Sequence, residues 1–207
     1  MLAGIFDELL SFLASGGFVM GPLVVATLVL WFALGWRLMT LQRGSRLSLR
    51  ELVSRGLDGE GLDSAGVITR AVERGVALAR LEGLPRQAEL RSYLDDAFGS
   101  LKSDMKRFST LVKSIVAAAP LAGLLGTVTG MIETFDSLGT MSLFSQSGGI
   151  AGGISVALIS TQMGLAVAIP ALVVGRILDR REQMIGQELD ELEDVICASF
   201  NDIRGQS

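Results

Sequence analysis

Three long apolar runs alternate with charged segments along this chain of 207 residues. A helix of about 20 residues crosses the hydrocarbon layer of a bilayer, which is roughly 30 Å thick. The pattern therefore predicts an all-α, polytopic membrane protein with three transmembrane helices, over residues 18–38, 114–135 and 154–175. Gly16 and Gly17 separate the first span from a short amphipathic N-terminal helix, residues 1–17.

The helical spacing of apolar residues continues beyond the second and third spans. Around the start of span two, residues recur in steps of four and three: Leu94, Phe98, Leu101, Met105, Phe108, Val112, Ile115, Ala119, Ala122, Gly126 and Thr129. Such a stripe predicts one continuous helix from about Arg86 to Asp136. A second stripe follows span three: Ile185, Leu189, Leu192, Ile196 and Ile203. We interpret the charges opposite it as a solvated acidic face: Glu188, Asp190, Glu191, Glu193 and Asp194.

The basic residues are confined to two blocks, and their distribution predicts the orientation. All 18 Lys and Arg lie between Arg37 and Lys113 or between Arg176 and Arg204. Short loops rich in Lys and Arg stay on the cytoplasmic side of the inner membrane. We therefore expect the N-terminus in the periplasm and the C-terminus in the cytoplasm.

This orientation assigns the remaining segments to the two sides of the membrane. Residues 1–17 would be periplasmic. Residues 39–113 would form a cytoplasmic helical region, in which glycines and Pro85 break the stretch from 40 to 85 into short helices. Residues 136–153 are rich in Gly and Ser and would form a periplasmic loop, whereas residues 176–207 would form a cytoplasmic C-terminal helix.

Composition narrows the classes of function. Hydrophobic residues make up 49% of the chain and charged residues 19%, whereas soluble domains contain about 25% charged residues. There is no histidine, and Cys197 is the single cysteine, which we interpret as a small apolar residue on a helix. We expect no metal and no cofactor. Enzymatic activity is disfavoured because residues 114–132 and 154–175 of spans two and three contain no titratable residue.

Spans two and three are rich in small residues, unlike the Leu- and Val-rich first span. They read AAAPLAGLLGTVTGMIETF over residues 117–135 and GGISVALISTQMGLAVAIPAL over residues 152–172. Small residues let helix backbones approach closely inside a bilayer. The residues expected to shape helix packing are Gly123, Gly126, Gly130, Gly164, Pro120 and Pro170.

Polar side chains in these spans are candidates for a pore lining: Thr127, Thr161, Thr129, Thr134 and Gln162. The alternative for Thr127 and Thr161 is a hydroxyl bonded to the carbonyl four residues earlier in the same helix. Glu133 and Asp136 would lie at the outer mouth, where negative charge concentrates cations, or would be ordinary solvated helix-end residues. No charged residue lies in residues 114–132 or 154–175. If the chain conducts ions, a partner must therefore supply the titrating group.

Two segments resemble a known family. Pro120 to Thr134 (PLAGLLGTVTGMIET) and Gly153 to Pro170 (GISVALISTQMGLAVAIP) resemble the MotA/TolQ/ExbB proton-channel family. Three spans with the large loop between the first two resemble its ExbB and TolQ branch, because MotA-type members have four spans.

The resemblance implies a homopentamer in which spans two and three line a central pore. It implies an ExbD- or TolR-like partner dimer whose single-span helices each carry a membrane Asp, and it is compatible with a TonB- or TolA-like protein as a further partner. Thr127 and Thr161 match the family's pore threonines by motif position. Val156 departs from the family pattern, because ExbB and TolQ members often carry Glu there.

The sequence and the resemblance together lead to one functional hypothesis and two alternatives. The hypothesis is an inner-membrane proton-channel motor that uses the proton motive force to energise an envelope process such as TonB-dependent transport. The alternatives are a non-conducting membrane scaffold for partner proteins and a sodium-coupled motor. Membrane lipid is an expected partner and nucleic acid is not.

Overall fold

The computed structural model describes residues 16–45, 47–58, 66–79, 87–140 and 148–204. Within these ranges every regular element is a helix: α1 Met20–Thr40, α2 Leu49–Asp58, α3 Val67–Ala79, α4 Gln87–Lys106, α5 Ser109–Thr140 and α6 Gly148–Arg204. Three segments are long and apolar enough to cross a membrane, namely Met20–Thr40, Glu89–Gly139 and Ile150–Ser199. The predicted all-α membrane fold is confirmed. Most of the predicted N-terminal helix over 1–17 lies outside the described residues.

The chain divides into two compact units, which are considered separately. The first comprises the described part of residues 1–34 together with residues 110–175. The second comprises the described part of residues 35–109 together with residues 176–207. The first unit contains the apolar parts of α1, α5 and α6, and the second contains α2, α3 and α4 with one end each of α1 and α6.

The second unit has a core built from the two apolar stripes. The α4 residues Leu94, Phe98, Leu101 and Met105 are buried, as are Ile185, Leu189, Leu192 and Ile196 of α6. Gly75 of α3 lies where these helices meet, because an added Cβ there would overlap the Ile196 side chain. It would also lie 3.4 Å from Cδ2 of Leu94. The α4 part of the first stripe is thus buried, whereas Phe108, Ile115, Ala122 and Thr129 further along it are half-buried. The side chain of Ile203 in the second stripe lies outside the described residues.

The helix predicted to run unbroken from Arg86 to Asp136 is interrupted, so that prediction was wrong. Arg107 and Phe108 form a turn between α4 and α5, and Phe108 has a φ of 64°, which is strained for a bulky residue. The Phe108 ring packs edge-on to Trp36 with a centroid distance of 6.4 Å. The Arg107 guanidinium carbon lies 5.3 Å from the centroid of the same ring. These aromatic contacts lie at the break between α4 and α5. The spacing of apolar residues along the sequence is the same on both sides of the break and did not indicate it.

The loop predicted over residues 136–153 is shorter than expected, which is a second correction. Helix α5 continues to Thr140, and α6 begins at Gly148. The residues between them lie outside the described part of the chain. Glycine is a poor helix former, but Gly153 packs so closely on Thr134 and Gly130 that a side chain there would overlap them. Contact between the helices thus favours a helical backbone that composition alone did not predict.

The acidic face of α6 is paired with basic residues rather than only solvated. Four of its five carboxylates form ion pairs: Arg43 with Glu188 at 2.7 Å, Lys102 with Asp190 at 2.6 Å, and Arg91 with both Glu193 and Asp194 at 3.0 Å. Glu193 is 9% exposed, whereas Glu191 is exposed. The face is therefore solvated at Asp190, Glu191 and Asp194, as the sequence indicated, and it is also paired with basic residues. Pairs this exposed contribute little each, about 0–1 kcal/mol.

Arg37, near the end of α1, is the most deeply buried charge among the described residues. Its side chain is 1% exposed, and Nη2 lies 3.0 Å from Oδ1 of Asp179 and 2.6 Å from Oε2 of Glu182. Ser109 Oγ lies 3.5 Å from the same Asp179 oxygen. Arg37 Nε and Nη1 are buried without a hydrogen-bond partner in the described structure. The two carboxylates thus offset the cost of burying the guanidinium.

Replacing Arg37 with Gln should destabilise the second unit far more than replacing an exposed arginine. Removing one member of a buried ion pair costs about 3–5 kcal/mol, and the partial exposure of Asp179 and Glu182 puts Arg37→Gln near the lower limit. Arg55→Gln is the matched control, because Arg55 and Glu51 form a pair in which both side chains are nearly half exposed. That variant should cost about 0.5 kcal/mol or less. Thermal unfolding in detergent, followed by circular dichroism, measures both, and equal shifts would contradict the prediction.

Candidate functional site

The first unit is held together by a contact between α5 and α6 that we call the glycine seam. It consists of Gly123, Gly126 and Gly130 of α5 and Gly153, Ala157, Ser160 and Gly164 of α6. A Cβ added to Gly123 would lie 2.9 Å from the Ser160 carbonyl oxygen and 3.0 Å from the Thr161 Cα. A Cβ on Gly164 would lie 2.6 Å from the Ala119 carbonyl oxygen. The two backbones are therefore in contact, as small residues permit inside a bilayer.

Ser160 lies at the centre of the seam, and the sequence analysis did not single it out. Its residue exposure is 0%, and a Cβ on Gly126 would overlap its Oγ and Cβ. The hydroxyl lies 2.9 Å from the Val156 carbonyl oxygen and 3.0 Å from that of Ala157, and can donate to either. The signal was available in the sequence, because Ser160 lies three residues after Ala157 and four before Gly164. That spacing places all three on one helix face.

Thr161 and Thr134 both border the seam. Thr161 is half-buried, and its Oγ1 lies 3.2 Å from the Gly123 carbonyl oxygen of α5 and 3.3 Å from the Ala157 carbonyl oxygen of its own helix. Thr134 is buried and donates to the Gly130 carbonyl oxygen at 2.8 Å. The hydroxyl of Thr161 can thus bond across the seam as well as within its helix.

The remaining polar candidates lie outside the tightest part of the seam. Thr127 is half-buried and donates to the Leu124 carbonyl oxygen at 2.7 Å, three residues back rather than the expected four. Thr129 is half-buried, and its Oγ1 lies 3.0 Å from the Gly126 carbonyl oxygen. Gln162 is exposed. Thr127 follows Gly123 by one helical turn, so the carbonyl that Thr161 contacts lies on the same side of α5 as Thr127.

The two prolines and the outer acidic pair do not interrupt the helices. Pro120 and Pro170 lie inside α5 and α6, which continue through them. Glu133 and Asp136 are exposed near the end of α5. Val156 is half-buried, and its Cγ1 is 3.0 Å from where a Cβ on Gly17 would lie. The residue that departs from the family pattern therefore faces the segment just before α1.

The membrane-embedded parts of the second and third spans carry no charged side chain. No Asp, Glu, Lys, Arg or His occurs in residues 114–132 or 154–175. Within the described ranges, no group of three or more His, Cys, Asp or Glu side chains could hold a metal ion. The arrangement offers hydroxyls and backbone carbonyls beside a close helix contact, and it can stabilise a polar or charged group that another chain brings to it.

Residues 64–191 match the MotA/TolQ/ExbB proton channel family. The chain belongs to this family. Its three apolar segments and its family agree with a multi-pass protein of the bacterial inner membrane. This is a family of channel-associated membrane proteins rather than of enzymes.

Several curated proteins are similar to parts of the chain. A biopolymer transport protein ExbB-like 3 of Synechocystis is 38% identical over 118 residues, covering 55% of this chain and 56% of the relative. A biopolymer transport protein ExbB homolog of Methanothermobacter thermautotrophicus is 31% identical over 146 residues, covering 70% of this chain and 50% of the relative. The biopolymer transport protein ExbB of Neisseria gonorrhoeae is 38% identical over 96 residues, covering 45% and 43%. The chain thus spans about half the length of these relatives.

The close packing at the glycine seam can be tested with a destabilising substitution and a second substitution that restores stability. Gly126→Ala should destabilise the first unit by about 1–3 kcal/mol, because the new methyl group overlaps Ser160 and overpacking carries a cost of that size. The double variant Gly126→Ala with Ser160→Gly makes room for that methyl group and should recover part of the loss. Thermal unfolding in detergent measures both variants.

The control for this experiment is Gly139→Ala. Gly139 lies in α5 with no heavy atom within 4 Å of an added Cβ. Alanine in such a helical position should leave stability unchanged or raise it by about 0.5–1 kcal/mol. Equal destabilisation by Gly126→Ala and Gly139→Ala, or no rescue by Ser160→Gly, would show that the seam is not a close contact.

Proposed function

We propose that this chain is the pore-forming subunit of a proton-driven ExbB/TolQ-type motor in the inner membrane. The observation that carries the proposal is the combination of two charge-free spans in backbone contact with half-buried hydroxyls beside that contact. The pore face would present Thr127 and Thr161, with the exposed Gln162 beside Thr161. Thr129 follows Thr127 by two residues and therefore lies on another side of α5, and Thr134 is buried at the seam.

A partner must then bring the carboxylate. An ionised Asp at the bilayer centre costs about 2.5–3.5 kcal/mol or more unless polar groups stabilise it. An ExbD- or TolR-like helix with a membrane Asp would place that group beside the hydroxyls of this chain. Ionised, the Asp needs hydrogen-bond donors. When it is protonated, the Asp is neutral and can move past apolar side chains of the pore wall.

The hydrogen-bond lengths suggest different roles for the two main threonines. A hydroxyl has one donor and two acceptor lone pairs, and it can rotate between partners. Thr161 holds only long bonds, 3.2 Å to Gly123 and 3.3 Å to Ala157, so it gives up little when it turns to donate to an ionised Asp. Thr127 holds a 2.7 Å bond to Leu124 and is better suited to accept from a protonated Asp. The pair would therefore recognise the two protonation states differently.

The driving force is large enough for this cycle. One proton that crosses about 150 mV releases roughly 3.5 kcal/mol. That energy is comparable to the cost of moving an ionised Asp away from its polar partners. It is enough to bias a partner helix that steps from one subunit to the next around a ring of identical subunits, which we propose to be a pentamer.

The orientation follows from the charge distribution. We place the N-terminus and the exposed Glu133 and Asp136 on the periplasmic side, because the segments next to them contain no Lys or Arg. The two carboxylates would concentrate protons at the entrance of the pore. The second unit, with most of the basic residues, would lie in the cytoplasm.

We propose that the motor energises an envelope process of the kind named for its relatives, which are called biopolymer transport proteins. TonB-dependent transport is one such process. Two alternatives to a proton-driven motor can be distinguished from it by experiment. A scaffold would assemble partners without conducting, and a sodium-coupled motor would use the same carboxylate and hydroxyl groups for Na⁺.

Thr161→Val should lower proton flux by about tenfold or more while the complex still assembles. Valine has a similar shape but cannot donate, and a hydrogen bond to a charged group contributes about 1.5–3 kcal/mol. Flux is measured in vesicles that contain this chain and its Asp-bearing partner. The matched control is Thr27→Val, because Thr27 on α1 donates at 2.7 Å to Leu23 of its own helix and lies outside the proposed pore.

Three outcomes separate the functional hypotheses. Flux that disappears when the partner's Asp is replaced by Asn excludes the scaffold. Flux that requires Na⁺ at constant membrane potential identifies the sodium motor. Full proton flux in Thr161→Val would overturn the assignment of this site.

The proposed orientation can be tested with single cysteines. Native Cys197 is buried, and its thiol pKa is raised by burial and by Glu193, although Arg91 opposes this shift. It should react slowly even before it is replaced by Ser. In the Cys197→Ser background, Gly139→Cys should react with a membrane-impermeant maleimide in intact cells. Gln183→Cys, which is also exposed, should react only after lysis, and the reverse pattern would contradict the proposed topology.

A further inference from the structure

A cavity in the second unit lies beside the last turns of the first span. Its volume is about 440 Å³, which is far larger than the roughly 10–15 Å³ needed to hold one water molecule. It lies between α1, α3 and α4, and its lining combines apolar and charged side chains: Trp36, Met39, Thr40, Val67, Arg70, Leu101, Asp104, Met105 and Arg107.

The cavity has an apolar wall and a basic rim. Val67, Leu101 and Met105 are buried, and Met39 is 75% exposed. Arg70 and Arg107 are exposed. Neither guanidinium forms an ion pair within the described residues, and that of Arg107 lies over the Phe108 ring. With Asp104 as the only acidic lining residue, two positive charges face one negative charge.

The position of the cavity along α1 places it at the level of the membrane interface. Helix α1 is long and apolar enough to cross a bilayer, and Trp36, Met39 and Thr40 belong to its last turns. Tryptophan is enriched at the depth of the lipid headgroups. Trp36 is 46% exposed, and its ring packs edge-on against the Phe108 ring. Phe108 has a left-handed backbone conformation, and its ring also contacts the Arg107 guanidinium. The strained turn thus helps to shape the rim of the cavity, as strained residues often do at binding sites.

We propose that this cavity binds one anionic phospholipid, with the phosphate between Arg70 and Arg107 and the first acyl methylenes against Met39, Leu101 and Met105. Guanidinium groups bind phosphate with paired hydrogen bonds, and the apolar wall matches the start of a lipid tail. A soluble phosphate would satisfy only the rim. A phospholipid has a phosphate for the basic rim and an acyl chain for the apolar wall, and it lies at the depth of the membrane interface where the cavity is found.

Tryptophan fluorescence can report on this site directly, because the chain has only two tryptophans. Trp31→Phe leaves Trp36 at the cavity as the single emitter, and Trp36→Phe leaves Trp31 as a control one and a half turns away on the same helix. Each full-length variant is reconstituted in phosphatidylcholine vesicles with a minor fraction of phosphatidylglycerol. In separate samples, one lipid or the other carries brominated chains at the same mole fraction.

Trp36 should be quenched more strongly by brominated phosphatidylglycerol than by brominated phosphatidylcholine, whereas Trp31 should be quenched equally by both. In the Trp31→Phe background, Arg70→Gln and Arg107→Gln should each reduce the preference about fivefold, the contribution of one basic side chain near an anionic leaflet. Arg50→Gln is the control, because Arg50 is an exposed arginine of the same unit that does not line this cavity. Circular dichroism confirms that each variant is folded.

Three results would overturn the proposal. Equal quenching of Trp36 by both lipids would mean that the cavity has no preference for an anionic headgroup. Loss of the preference on addition of soluble glycerol phosphate at the same concentration as the phosphatidylglycerol would mean that the phosphate alone accounts for binding and that the acyl chains contribute nothing. Absence of quenching by either lipid would mean that another protein surface, from a second subunit or a partner, covers the cavity. None of these results depends on proton flux.

Discussion

The close contact between the backbones of α5 and α6 is the constraint on which the first unit depends. Lipid gives little hydrophobic drive for one span to associate with another, so association relies on van der Waals packing. Gly123, Gly126 and Gly130 provide that packing by letting Ser160 and its neighbours approach the α5 backbone. The large side chains of both spans, such as Leu121 and Leu158, are consequently turned outward, where lipid or another subunit can cover them. The same contact fixes where the threonine hydroxyls lie.

Much of this fold could be predicted from the sequence, because its strongest determinants are local. Membrane spans exclude charged residues, and close helix contacts require small residues. Both constraints produce patterns that are visible directly in the sequence. The break at Phe108 left no such mark, since Leu101, Met105 and Val112 keep the same spacing on either side of it. It goes together with an aromatic contact to Trp36, which is distant in sequence.

The candidate site, too, was predicted from the sequence only in part. Composition identified the glycines and threonines, but it did not identify Ser160, whose importance follows from the close approach of Gly126 to its side chain. Composition also could not tell that Thr161 contacts a carbonyl of the other helix while Thr127 contacts only its own. The acidic face of α6 is similar, because its partners Arg43, Arg91 and Lys102 come from distant segments. Which charges are paired is decided by tertiary structure.

The buried position of Arg37 gives that residue two duties at different times. During synthesis, a positive charge at the end of the first span helps to decide which way the span is inserted, and lysine would serve equally well. Once the chain has folded, the same side chain must be held at 1% exposure between Asp179 and Glu182. Arginine keeps its charge at any physiological pH and tolerates such burial, whereas a buried lysine readily loses its proton. A substitution that leaves biogenesis intact could therefore still yield a correctly inserted protein that fails to fold.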